Sequence, residues 1–100
     1  MNIAIEENDS TVKINVTGDI EMMSIKDFKE KLLKLGQDSD KNIEIDLANV
    51  DYIDSSGVGV LISLLKLQKR KGKTVKISQV SDKVLNVLKL SSLADVFNLE

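Results

Sequence analysis

The chain has 100 residues, of which 14 are basic and 16 acidic, so its formal net charge is only −2. This balance provides no field that would attract DNA or an acidic membrane. Aromatic residues make up 3% of the chain, which leaves few rings to stack on unpaired bases. Cysteine and histidine are absent, which excludes disulfides and removes the commonest general base and the commonest metal ligand.

The length and the apolar content of 42% predict one globular domain over residues 1–100. The N-terminal segment MNIAIEENDS has neither the basic nor the apolar region of a secretory signal. The most apolar run, residues 58–65, is too short to span a bilayer. We therefore expect a cytoplasmic protein that has neither a membrane nor a nucleic acid as its partner.

Two strands are predicted at the N-terminus, where apolar and polar residues alternate. Ile3 and Ile5 mark the first strand, and residues 12–16 form the second. The polar turn between them predicts an antiparallel hairpin. Gly18 and Asp19 should end this hairpin.

The first helix is predicted to begin after Ser24, because Asp27 follows three residues later as in a capping box. Gly36 is expected to end the helix as its C′ residue, before a polar loop over residues 37–41. The apolar residues at helical spacing predict one buried face: Ile25, Phe28, Leu32 and Leu35.

A third strand and an apolar helix form the centre of the chain. Ile43, Ile45 and Leu47 mark the strand, and the helix should run to about Lys71 and end at Gly72. A second apolar stripe on this helix either packs on a neighbouring helix or provides a docking surface for a partner. The two stripes are Val58, Leu61, Ile62 and Leu65 on one face, and Val60, Leu64 and Leu67 on another.

The C-terminal part predicts a strand over residues 74–78, a helix capped by Ser81 or Asp82, and a short final helix over residues 93–96. The predicted fold is thus α/β, with the order β-β-α-β-α-β-α and a short extra C-terminal helix. The sheet is mixed and four-stranded, and its last strands are parallel. Because every strand alternates, we expect helices on one face and a polar second face.

Several other motifs have simpler explanations. Residues 72–74 lack the upstream glycine of a P-loop and follow a helix rather than a strand. The S-x-x-K pattern at residues 63–66 falls within a helix and has no companion motif. Asp46, Asp51 and Asp54 are more typical of turns and helix caps than of a metal site.

Basic residues gather around the predicted C-terminus of the central helix, where cations are favoured. A solvated helix end is the simplest interpretation, and contact with a nucleotide or an acidic partner is the alternative. The cluster is Lys66, Lys69, Arg70, Lys71, Lys73 and Lys76.

Ser55 and Ser56 lie where a loop becomes a helix N-terminus, a place that can hold a phosphate. Either Asp54 or Ser55 could cap the helix, and Gly57 would allow the close approach of another backbone. Neither serine has a histidine to activate it as a nucleophile. As an acceptor in another enzyme's phosphoryl transfer, a serine needs only exposure. On spacing alone, a plain capping box is the favoured interpretation.

The run IDLANVDYIDSSGVGVLISLLKLQKRKGKTVKI, residues 45–77, resembles the STAS domain of bacterial anti-sigma-factor antagonists. The D-S-S-G motif at residues 54–57 is the characteristic part. Asp46, Gly72 and the segment GDIE at residues 18–21 support the resemblance, which spans essentially the whole chain.

The resemblance implies that Ser56 is phosphorylated by an anti-sigma factor that is itself a serine kinase. The unphosphorylated protein would bind this kinase and free a sigma factor, and a metal-dependent serine phosphatase would reverse the modification. Neither catalysis nor a cofactor or metal is implied for the chain itself. The residues expected to contact the partner are Asp19, Glu21, Asp54, Ser55, Ser56, Gly57, Val58, Val60 and Leu64.

Two alternatives of different class remain open at this stage. The chain could be a STAS module of another assembly, such as a stress-signalling or lipid-transport complex. It could also be a nucleotide-binding regulatory domain that uses the same helix N-terminus. Many relatives have an aspartate where this chain has Glu21, which is followed here by Met22 and Met23.

Overall fold

A computed structural model describes residues 1–97, so the last three residues of the predicted domain lie outside the described residues. The order β-β-α-β-α-β-α with a short terminal helix is confirmed. The elements are β1 (Asn2–Glu7), β2 (Thr11–Thr17), α1 (Ile25–Asp38), β3 (Asn42–Asn49), α2 (Ser55–Arg70), β4 (Val75–Val80), α3 (Asp82–Leu90) and α4 (Leu93–Val96).

The strands lie in the order β1-β2-β3-β4. β1 is antiparallel to β2, and β3 runs parallel to both β2 and β4, which confirms the mixed sheet. One row of paired residues crosses all the strands: Ile5, Ile14, Ile45 and Ile77. Only Ile5, on the edge strand β1, is exposed. The helices therefore cover the middle of the sheet more completely than the β1 edge.

The two faces of the sheet differ as the alternation predicts. Inward residues of β2 and β3 are buried, whereas the residues between them are half-buried. On this second, polar face, the Lys13 ammonium lies 3.7 Å from a Glu44 carboxylate oxygen. Helices thus cover one face only, because only that face offers a continuous apolar surface.

Gly36 does not end α1, and that prediction is wrong. The helix continues to Asp38, and Gly36 is buried within it. A Cβ at this position would lie 2.9 Å from a methyl carbon of Leu64 and 2.9 Å from one of Leu67. The glycine therefore allows α1 to approach α2 closely.

The predicted capping box at the start of α1 is also wrong. Ser24 has the N-cap position, but its hydroxyl makes no cap hydrogen bond. The hydroxyl instead donates to the carbonyl of Asp19 and accepts from the amide of Glu21. The carboxylate of Asp27 pairs with Lys31 one turn later. Ser24 thus stabilises the loop before the helix, which borders the site described next.

Candidate functional site

Two loops run side by side at the end of the sheet and place the N-terminus of α2. Ile20, after β2, forms a parallel bridge with Ile53, after β3. The amide of Ile20 donates to the carbonyl of Tyr52 at 2.9 Å, and the amide of Asp54 donates to the carbonyl of Ile20 at 3.0 Å. This short extension of the pairing holds the β2–α1 loop against the beginning of α2.

Asp54 caps α2, and its carboxylate joins the two loops. Oδ1 accepts from the amides of Ser56 at 2.9 Å and Gly57 at 3.2 Å. Oδ2 accepts from the amide of Met22, 32 residues away in the chain, at 3.0 Å. Of the two predicted caps, Asp54 is therefore the right one. Among the hydrogen bonds of residues 1–97, none uses the hydroxyl of Ser55, which is exposed.

The hydroxyl of Ser56 is half-buried and donates to Oδ1 of Asp54 at 2.5 Å. This bond is the largest cause of the lowered pKa of Asp54. Desolvation raises the pKa, and the hydrogen bonds from the amides of Gly57, Met22 and Ser56 lower it further. Asp54 is therefore firmly ionised at neutral pH and orients the Ser56 hydroxyl. Ser56 also lines a shallow groove between α1 and α2, with Lys29 of α1 on its opposite side.

The structure divides the predicted contact residues into two groups. Asp19 and Ser55 are exposed, and Glu21, Asp54 and Ser56 are half-buried, so all of these reach the surface near the start of α2. The others are buried and contribute little or no surface: Gly57, Val58, Val60 and Leu64.

These buried residues correct the expectation for the contact surface. A Cβ on Gly57 would lie 2.6 Å from Ile20 and 2.7 Å from Ile53, so this glycine makes room for core side chains rather than for another backbone. Val60 is 5% exposed and Leu64 is fully buried. The second apolar stripe of α2 thus packs against the neighbouring helix α1 and does not form an exposed docking surface.

The sequence analysis noted Met22 and Met23 after Glu21 but did not include them among the expected contact residues. Met22 is 75% exposed and Met23 is 90% exposed, directly beside Asp54. Tyr52, in the other loop, is also exposed. The available signal was the pair of adjacent methionines directly after Glu21.

The described residues provide little for other chemistries. Within residues 1–97, no group of three or more His, Cys, Asp or Glu side chains could hold a metal ion. Asp46 instead accepts from the amide of Ala48 at 2.9 Å, as turn residues do. No helix in this part of the chain has both the length and the apolar character that crossing a membrane requires.

Residues 3–99 match the family described as "Mlab, STAS domain". The chain therefore belongs to the STAS-domain family. One relative, the "Anti-sigma-B factor antagonist" of Bacillus subtilis, is 26% identical over 99 residues, which cover 99% of this chain and 90% of the relative.

Solved structures show the same fold. An anti-sigma factor antagonist from Mycobacterium paratuberculosis superimposes with a TM-score of 0.86 at 19% identity, covering 98% of this chain and 83% of its own. The antagonist SpoIIAA in its unphosphorylated form gives a TM-score of 0.83 at 19% identity, covering 94% and 84%. Bacillus SpoIIAA in the phosphorylated form gives a TM-score of 0.75 at 18% identity, and the match covers 94% of this chain and 86% of the SpoIIAA chain.

Proposed function

We propose that this protein is an anti-sigma-factor antagonist that acts in the cytoplasm. It binds an anti-sigma factor that is also a serine kinase, and this binding releases a sigma factor. Phosphorylation of Ser56 ends the binding. The observation that carries the proposal is the accessible hydroxyl of Ser56, oriented by Asp54 at the start of α2. The relative in Bacillus subtilis is named as an anti-sigma-B factor antagonist and matches this chain along nearly its whole length, which supports the same role.

The geometry suits an acceptor rather than a catalyst. In the transfer, Oγ of Ser56 forms a bond to the γ-phosphorus of ATP, ADP leaves, and the hydroxyl proton passes to a base. Asp54 is a weak base because its pKa is lowered, so it orients the hydroxyl and the kinase supplies the base. A metal-dependent phosphatase would restore the hydroxyl by hydrolysis.

Phosphorylation should change binding without unfolding the domain. A phosphoserine carries a charge of about −1.5 to −2 at neutral pH, and it would replace a hydroxyl that now donates to Asp54. The helix dipole at the start of α2 stabilises such a charge by roughly 0.3–1 kcal/mol, against the repulsion from Asp54. An interface that buried the phosphate unpaired would lose several kcal/mol. SpoIIAA, which has this fold in both phosphorylation states, is consistent with a domain that tolerates the modification.

The test is incubation with ATP and the purified anti-sigma factor kinase of the same organism, followed by mass spectrometry. We expect one phosphate on the wild-type chain and on Ser55→Ala, and none on Ser56→Ala. Ser55→Ala is a matched control because its hydroxyl neighbours the acceptor but makes no described hydrogen bond. Equal phosphate uptake by wild type and Ser56→Ala would contradict the site.

A second candidate is a STAS module of another assembly, such as a lipid-transport complex, because the matching family is described by its STAS domain and not by the antagonist role. The same surface around Ser56 would then bind a transporter subunit. Co-purification of the full chain with a transporter-type ATPase, together with no phosphate uptake from any serine kinase partner, would support this candidate over the first.

A further inference from the structure

The loop between β2 and α1 presents two methionines to solvent. Met22 and Met23 expose 75% and 90% of their surfaces, and they are adjacent in the chain. Large apolar side chains are costly to leave in water, and a pair at one point is more informative than one alone. Methionine is also flexible and polarizable, which suits a surface that docks into a partner.

Hydrogen bonds hold the backbone of the loop that carries these side chains. The Ser24 hydroxyl donates to the carbonyl of Asp19 at 2.8 Å, and the amide of Met23 donates to the carboxylate of Glu21 at 3.0 Å. The amide of Met22 donates to Asp54, whose other oxygen accepts from the hydroxyl of Ser56. The methionines therefore belong to the same bonded unit as the proposed phosphorylation site.

The charges around the methionines define the chemistry of the complementary surface. The two loops carry carboxylates at Asp19, Glu21, Asp51 and Asp54, and residues 14–25 and 42–65 contain no lysine or arginine. Lys26, at the start of α1, lines a surface depression together with Met23, but Asp27 and Glu30 line it too, so carboxylates still outnumber cations around the methionines. A partner surface with an apolar pocket and a basic rim would complement this arrangement.

We propose that Met22 and Met23 are the apolar anchors with which the unphosphorylated chain binds its anti-sigma factor, in an apolar pocket rimmed by basic residues. This inference rests on the proposed function and specifies the contact. Asp54 connects the two events, because its carboxylate contacts both the Ser56 hydroxyl and the amide of Met22. Phosphorylation at Ser56 removes the first of these bonds and disturbs the loop that presents the methionines.

The test compares three double or single variants of the full chain with wild type, using the purified anti-sigma factor kinase of the same organism as the probe. Met22→Ser with Met23→Ser should weaken binding by about tenfold or more, because two apolar anchors are lost. Met22→Leu with Met23→Leu should bind within about threefold of wild type. Leu90→Ser, which changes a side chain that is 88% exposed on α3, is the matched control and should bind normally.

Phosphorylation kinetics provide a second readout. The serine double variant should raise the KM of the kinase for this chain by a similar factor and leave kcat unchanged, since Ser56 and Asp54 are intact. A fall in kcat alone would overturn the anchor role.

The outcomes separate this inference from the function on which it rests. If wild type binds and the serine variant binds equally well, the anchors are wrong and the proposed function stands. If wild type does not bind the kinase, both are wrong. A dimer of the free chain that dissociates in the serine variant would identify a second copy as the occupant, which would also overturn the inference.

Discussion

The two ends of α2 use polar side chains in opposite ways. At the N-terminus, Asp54 and Ser56 hydrogen-bond to each other near the surface, beside the exposed methionines. At the C-terminus, Gln68 is fully buried, and its amide donates to the carbonyls of Lys41 at 2.9 Å and Thr74 at 3.1 Å. One end thus presents reactive groups to solvent, and the other ties two loops together inside the protein.

The difference shows which polar groups stabilise the fold and which remain available for function. The side-chain amide of Gln68 joins the loops at Lys41 and Thr74, although its Oε1 is buried without a hydrogen-bond partner among the described residues. Gly72, with a φ of +70°, lets the chain turn from α2 into β4. The cap at Asp54 also satisfies backbone amides, but it leaves the Ser56 oxygen at the surface. We infer that a change at Gln68 alters stability, whereas a change of the Ser56 hydroxyl alters binding.

Gln68→Ala tests the buried end and should have the largest effect. Loss of both hydrogen bonds and of side-chain volume, offset in part by removal of the buried unpaired Oε1, should lower the free energy of unfolding by about 2–4 kcal/mol. Urea unfolding measures this loss, and Gln37→Ala, the same change at an exposed position of α1, should cost little. At temperatures where the variant is folded, phosphate uptake at Ser56 should match wild type. A slower uptake by the folded variant would show that the two ends are coupled.

Gly57→Ala tests how tightly the exposed end is packed beneath its surface. The new methyl group would lie 2.6 Å from Ile20 and 2.7 Å from Ile53, so we expect a loss of about 1–3 kcal/mol. Gly59→Ala, two residues on in the same helix, has open space at its Cβ and should gain roughly 0.5–1 kcal/mol. Urea unfolding of both variants gives the comparison. Equal effects of the two substitutions would contradict the packing beneath the cap.

The acid dependence of stability tests the cap itself and should be the smallest effect. Because folding lowers the pKa of Asp54, its contribution to stability is present above the unfolded pKa of about 3.9 and is lost as the pH falls through the folded pKa. The difference in unfolding free energy between wild type and Asp54→Asn should therefore shrink below about pH 4. A difference that stayed constant into strong acid would contradict this account.

Ser56→Ala gives an independent check of the cause of this shift. It removes the hydrogen bond that contributes most to the lowered pKa of Asp54, so the pKa should rise toward its usual value. A carboxyl-carbon NMR titration measures the change directly. Ser55→Ala is the control, and it should leave the titration curve of Asp54 unchanged.

Local patterns predicted most of the elements but failed where two segments meet. Alternation found every strand, and helical spacing found the buried face of α1. The capping box failed because the Ser24 hydroxyl binds the preceding loop instead of α1. Gly36 was assigned to a helix end because glycine is common there, whereas its role depends on Leu64 and Leu67 in another helix.

By itself, the sequence determined the order of the elements, the apolar faces of β2, β3 and β4, and the position of the D-S-S-G motif at the start of α2. These features depend on spacings of two to four residues, which side-chain hydrophobicity and backbone geometry fix locally. Only the tertiary structure decided that Asp54 is the cap, that Val60 and Leu64 are buried, and that Met22 and Met23 face solvent. The burial of Val60 and Leu64 depends on the contact of α1 with α2, and the place of the methionines depends on the bridge between Ile20 and Ile53. Asp54 joins distant residues through its bond from the amide of Met22.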